Sequence, residues 1–101
     1  MSEFVTVAEI KDLEPGQGKV VEVKGRAIAL FNIGGTFYAL DNTCLHMGGP
    51  VGEGYVEGNM VTCPWHGWQY KVETGETEFE PDQKLQTFEV KVEGEEVKIR
   101  L

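Results

Sequence analysis

The chain is expected to fold as an all-β domain of many short strands, on three observations. Apolar residues recur at period two with charges between them, most plainly Val90, Val92, Val97 and Ile99. Glycine is abundant, 13 in 101 residues, so many tight turns are expected. Outside one short segment near the start, no stretch carries a helical period. The size allows one domain with a modest core, to which a bound metal or cofactor would be a useful addition.

Local composition sets the elements. Residues 4–7 (FVTV) read as a strand. Residues 8–13 (AEIKDL) allow a helical turn or two, stopped by Glu14-Pro15-Gly16. Residues 19–24 (KVVEVK) have strand composition, and Gly25 ends them. Residues 26–33 (RAIALFNI) alternate enough for a half-buried strand, and Gly34-Gly35 turns them into residues 36–40 as a hairpin. Residues 41–54 (DNTCLHMGGPVGEG) have no stable period and must be loop. Tyr55-Val56 and residues 60–62 form a second hairpin about Glu57-Gly58-Asn59. Residues 63–67 (CPWHG) are again loop, residues 68–72 resume strand, and residues 73–76 turn. Pro81 breaks an acidic stretch. A last hairpin joins LQTFEVKV to EVKIRL through Glu93-Gly94-Glu95. This divides the chain into a framework, residues 1–42 and 74–101, and an inserted middle, residues 43–73.

Charge excludes several function classes. With 9 basic and 17 acidic residues the net charge is −8, which argues against a nucleic-acid partner. Any macromolecular partner is expected to offer a basic face. No apolar run is long enough for a membrane span, and Met1-Ser2-Glu3-Phe4 lacks a signal-peptide pattern. A cytoplasmic location is therefore expected.

The chemistry-bearing residues all lie in the inserted middle. The two cysteines and two histidines form Cys44-x-His46, then sixteen residues, then Cys63-x-x-His66. A lone disulfide is one reading, but a reducing compartment disfavours it. Each half supplies one thiolate and one imidazole from a loop, and the hairpin between them can bring both loops to one end. Four soft or borderline donors so placed make a metal site. Zinc is the simplest occupant, yet zinc fingers usually separate their cysteine half from their histidine half. Mixed halves suit a two-iron cluster with two protein ligands per iron, of the kind in which two histidines replace two cysteines on one iron. Both occupants remain open on the residues alone.

The motif CLH…CPWHG at residues 44–67 resembles the Rieske [2Fe–2S] motif, and the similarity extends over nearly the whole chain, including Gly75, Pro81 and the VKVEGEEVKI tail. The resemblance implies three antiparallel sheets, with a small cluster-binding subdomain inserted in a larger base. It implies one [2Fe–2S] cluster, with Cys44 and Cys63 on the buried iron and His46 and His66 on the outer iron through Nδ1. Gly48, Gly49 and Gly67 suit close approach of backbone to the cluster, and Pro64 fixes the chain after Cys63. Trp65 and Trp68 flank His66; they are either core or, for Trp65 with Leu45 and Met47, an apolar docking rim.

Histidine ligation leaves the oxidised site neutral where four thiolates would leave it doubly negative, so Rieske potentials lie at roughly −150 to +300 mV against about −400 mV. High-potential relatives carry two further cysteines; the matching positions here are Gly49 and Trp65. Trp68 stands where those relatives often carry a hydroxyl, although Tyr70 could still donate toward the Cys63 sulfur. A potential below 0 mV, near the bottom of the range, is expected.

No glycine fingerprint for a nicotinamide or flavin cofactor is present, since Gly52, Gly54 and Gly58 have the wrong spacing. Both histidines are committed, so no catalytic triad and no second iron site can be built. The chain looks like the ferredoxin component of bacterial ring-hydroxylating dioxygenase systems, a monomeric one-electron carrier between a flavin-dependent reductase and a terminal oxygenase. Two alternatives are the small subunit of an assimilatory nitrite reductase and a zinc-stabilised binding module without a redox role.

Overall fold

The computed structural model describes residues 4–42, 50–64, 67–77 and 84–100. Among the described residues nine strands follow one another: β1 (Phe4–Glu9), β2 (Gln17–Val23), β3 (Arg26–Ile33), β4 (Thr36–Asp41), β5 (Tyr55–Glu57), β6 (Met60–Thr62), β7 (Gln69–Lys71), β8 (Thr87–Glu93) and β9 (Glu96–Arg100). Two 3₁₀ turns, Ile10–Asp12 and Val51–Glu53, interrupt them. All strand pairs are antiparallel.

The hairpins form where the backbone can make two-residue turns. Ile33 pairs with Thr36, and Gly34 and Gly35 both hold positive φ, 61° and 98°, a combination that matches the twist of the flanking strands. The β2–β3 turn reaches the same conformation with Lys24 at φ 51°, so β2 stops at Val23, a residue before the expected end. In the tail Glu93 pairs with Glu96, which leaves Gly94-Glu95 as the turn and moves Glu93 into the strand. At the start, β1 runs on through Glu9, past a bulge between Thr6 and Ala8. The expected helical segment therefore shrinks to one 3₁₀ turn, capped by the Asp12 carboxylate accepting from the Glu9 N–H at 2.9 Å.

The frame is a six-stranded sheet in the order β1-β9-β8-β4-β3-β2, and a separate sheet follows the order β5-β6-β7. The long sheet is joined at its middle through only two pairs, Ala39 with Phe88 and Leu40 with Thr87. It is thus two antiparallel sheets sharing β8, which with β5-β6-β7 gives three.

Two buried clusters lie on opposite sides of β3. Ile28 and Leu30 face a cluster with Leu13, Val23, Phe37, Val97 and Ile99. Ala29 and Phe31 face the other, with Leu40, Val51, Val61, Tyr70 and Leu85. The expectation of a half-buried β3 is therefore corrected: Ile28 to Asn32 are all buried. The polar member, Asn32, is held on both sides of its amide. Its Nδ2 donates to the Leu13 carbonyl at 2.7 Å, and its Oδ1 accepts from the Gly35 N–H at 2.8 Å. The period-two reading of the tail holds for Val97 and Ile99 but not for Val92, which lies 44% exposed beside the turn.

On the outer face of β8 and β9, Glu93 meets Lys91 at 3.3 Å and Lys98 at 3.2 Å. Hydrogen bonds from Lys98 and Lys91, and then their charges, hold its carboxyl below the ordinary 4.5. A lowered folded pKa stabilises above the unfolded value and is lost as pH falls through the folded one. Thermal stability is thus expected to fall more steeply below pH 4.5 in the parent than in Glu93→Gln. The effect is small, because the site is exposed and screened by salt. Melting curves across that acid range check it.

Candidate metal centre

The inserted middle is a three-stranded meander whose geometry sets one end apart. Tyr55 pairs with Thr62, so the chain enters β5 and leaves β6 at the same end, with Gly54 and Cys63 side by side in register. The approach is close: a Cβ on Gly54 would lie 2.2 Å from the Thr62 carbonyl oxygen. Only glycine permits this packing.

The first loop is closed at its root by Asn42. Its backbone N–H donates to the Ala27 carbonyl at 3.3 Å, and its carbonyl accepts from the Val51 N–H at 2.9 Å. Its side-chain Oδ1 accepts from the Gly52 N–H at 2.7 Å. A single residue thus ties β3, the end of β4 and the Val51–Glu53 turn together. The second loop is pinched by the Cys63 N–H donating to the Trp68 carbonyl at 2.7 Å, with Gly67 at φ +73° between them.

Cys63 directly follows β6 and is 1% exposed, within the buried cluster that contains Phe31, Leu40, Val61, Tyr70 and Leu85. Tyr70 is fully buried opposite Val61, and Trp68 is half-buried against the same cluster, which favours the core reading for Trp68. The chain on either side of residues 78–83 meets beside this core. The Leu85 N–H donates to the Gly75 carbonyl at 2.8 Å, and Glu76 bridges to Lys84.

One of the four sequence-predicted ligands, Cys63, is therefore placed, at the end of the meander that both loops share. Cys44, His46 and His66 lie outside the described residues, as do Gly48, Gly49, Leu45, Met47, Trp65 and Pro81. Among the described residues no three potential ligands gather. The donor chemistry at Cys63 fits an iron–sulfur centre. Its sulfur is soft, and an anionic thiolate in apolar surroundings is costly without a cation to offset it.

Sequence reasoning missed the residues that brace these loops. Arg26 Nη2 reaches Asp41 Oδ2 at 3.4 Å and Gln86 Oε1 at 3.2 Å, and its guanidinium lies 4.9 Å from the Phe88 ring centre. Asp41 precedes the first loop and Gln86 follows residues 78–83, so one cation spans both roots. Only Asn42 had a readable signal, as an Asx residue ahead of a glycine-rich run.

An antiparallel β frame that closes two loops at their roots, with a buried cysteine beside one of them, has the form of a small metal-holding domain. Residues 3–89 match the Rieske [2Fe–2S] domain. The chain belongs to that family and carries one [2Fe–2S] cluster. It is 33% identical over 99 residues to the ferredoxin component of the naphthalene 1,2-dioxygenase system of Pseudomonas putida, covering 97% of this chain and 95% of that one. It is 41% identical over 96 residues to apoptosis-inducing factor 3 of Mus musculus, covering 94% of this chain but only 16% of that protein. Among solved structures, the complex of reduced oxygenase and oxidised ferredoxin in carbazole 1,9a-dioxygenase contains a chain 33% identical at a TM-score of 0.87, with 95% of this chain and 91% of that one covered. No helix among the described residues is long and apolar enough to cross a membrane.

Proposed function

We propose that the chain is a monomeric, cytoplasmic one-electron carrier that takes electrons from a flavin-dependent reductase and passes them to a terminal oxygenase. The observation that carries this reading is that the likeness to a dioxygenase ferredoxin component runs the length of both chains. Cys44 and Cys63 would hold one iron of the cluster, and His46 and His66 the other. Residues 43–73 form the cluster-bearing insertion and residues 1–42 and 74–101 the base. The bound cluster supplies a site that gains and loses one electron. The chain's own part is to hold and shield it. Cys63 supplies a thiolate, the buried cluster about Phe31 and Leu40 excludes water on its inner side, and Asn42 fixes the loop root.

Purified protein is expected to contain about two irons and two acid-labile sulfides per chain and to give a reduced-state EPR signal. Zinc in place of both, or product formation by the reconstituted oxygenase that does not depend on this chain, overturns the proposal. Tyr70, buried in the same cluster as Cys63, is the candidate donor toward the thiolate sulfur. Tyr70→Phe is expected to lower the midpoint potential by about 50 mV, the equivalent of about 1 kcal/mol by which a hydrogen bond to the sulfur favours the reduced over the oxidised state. Voltammetry of the two proteins checks this, and an unchanged potential removes Tyr70 from the role.

A further inference from the structure

Tyr55 is 75% exposed, the most exposed of the large apolar side chains among the described residues. It sits on β5, an edge strand, and walls an open groove whose other side is formed by Asp12, Leu13 and residues 16–19. An aromatic ring in that position buries little in this chain, and aromatic rings with a polar tip are favoured anchors at interfaces. Its position relative to the metal centre is fixed by register. Tyr55 pairs with Thr62, the residue before Cys63.

Charge defines what covers it. Several carboxylates of the base are matched internally, Glu9 with Lys11, Asp41 with Arg26, Glu89 with Arg100, and Glu93 and Glu96 with Lys98, while Glu14, Glu22 and Glu95 belong to none of the ion pairs of the described residues. Beside Tyr55 two unmatched carboxylates accompany an exposed ring. Glu53 and Glu57 are exposed and neither belongs to any of the ion pairs of the described residues. By strand alternation Glu57 shares the outer face of β5 with Tyr55. Two cations lie nearby: Lys19 lines the far side of the groove opposite Tyr55, beside Asp12, and Lys71 lies two strands away on the outer face, opposite Met60. A second copy of this chain is a poor occupant, because a two-fold contact would set Glu57 near its own equivalent.

We infer that Tyr55, with Glu53 and Glu57, forms a docking surface beside the cluster loops for a basic redox protein, whose lysines or arginines surround an apolar slot for the Tyr55 ring. The inference rests on the electron-carrier reading and adds to it a recognition surface on β5. The carboxylates steer the encounter, and the ring holds the complex once water has left.

The test uses the dithionite-reduced full chain and ferricytochrome c, a lysine-faced one-electron acceptor; one electron passes from the reduced cluster to the ferric haem. The second-order rate is followed by stopped flow at rising salt. The double variant Glu53→Gln/Glu57→Gln is expected to react about threefold more slowly at low salt, with a flatter salt dependence. Tyr55→Ala is expected to slow the reaction at all salt concentrations. Glu93→Gln/Glu96→Gln on the base is expected to match the parent, and all variants to keep its midpoint potential and EPR signal. Parent-like rates for the Glu53/Glu57 and Tyr55 variants overturn the inference while leaving the carrier reading intact. A parent protein that cannot reduce the acceptor at all overturns the carrier reading instead. A concentration-dependent dimer in sedimentation that Tyr55→Ala abolishes makes a second copy the occupant and also overturns it.

Discussion

Cys63→Ala is expected to leave the chain colourless, with iron and acid-labile sulfide falling from about two each to none and the reduced-state EPR signal lost. The reason is positional. Cys63 is buried at the shared end of the meander, where its sulfur faces apolar neighbours rather than solvent. No exposed side chain can substitute for it from there. The fold is expected to survive, because the cluster packed between the two halves of the long sheet contains Ile28, Leu30 and Ile99 but not Cys63. Far-UV circular dichroism alongside metal analysis separates the two effects. A variant that keeps its iron, sulfide and signal refutes the ligand assignment.

Gly75→Ala is expected to damage the fold severely. Gly75 holds φ +79°, and a Cβ there would lie 2.2 Å from the Leu85 carbonyl oxygen. Strain in the left-handed region and a backbone clash act together, about 3 kcal/mol in all. For a domain of this size that lowers the melting temperature by about 12 °C or more. Leu85 is anchored to Gly75 through its N–H and is itself buried in the core beside Cys63, so the chain about Leu85 lifts away. Gly94→Ala isolates the backbone part of the cost. Gly94 also has positive φ, 61°, but faces open space, so about 1 kcal/mol is expected. Equal falls for the two variants in a thermal melt would remove the clash from the account.

Much of the frame was legible because the turns carry their own chemistry. Gly34-Gly35 forms the expected two-residue turn, and hairpins also form at Glu57-Gly58-Asn59 and Glu93-Gly94-Glu95, each with a turn one residue shorter than expected because Glu57 and Glu93 pair within their strands. Burial was less legible. RAIALFNI contains a polar Asn32, which reads as one exposed position of an alternating strand. In the fold that amide is buried and satisfied by Leu13 and Gly35, groups distant or unreadable in sequence. Val92 misled in the opposite sense, since alternation does not say where a sheet's cover ends. At the candidate site type and spacing single out four candidate ligands, of which Cys63 lies among the described residues, buried at the end of the meander. The bracing was not legible, because Arg26, Asp41 and Gln86 meet only through the pairing of β3, β4 and β8. Short-range pattern cannot encode a contact made by three separate strands.

The two-sided burial of β3 bears on how such a protein would work. Ala29 and Phe31 are shared walls of the core beneath Cys63, while Ile28 and Leu30 on the same strand lock into the opposite core. Dense interiors transmit strain and resist displacement. The wall beneath Cys63 is therefore held as if in a vice. A strand with no free side on which to yield is expected to shift little when charge arrives beside it, which suits brief encounters.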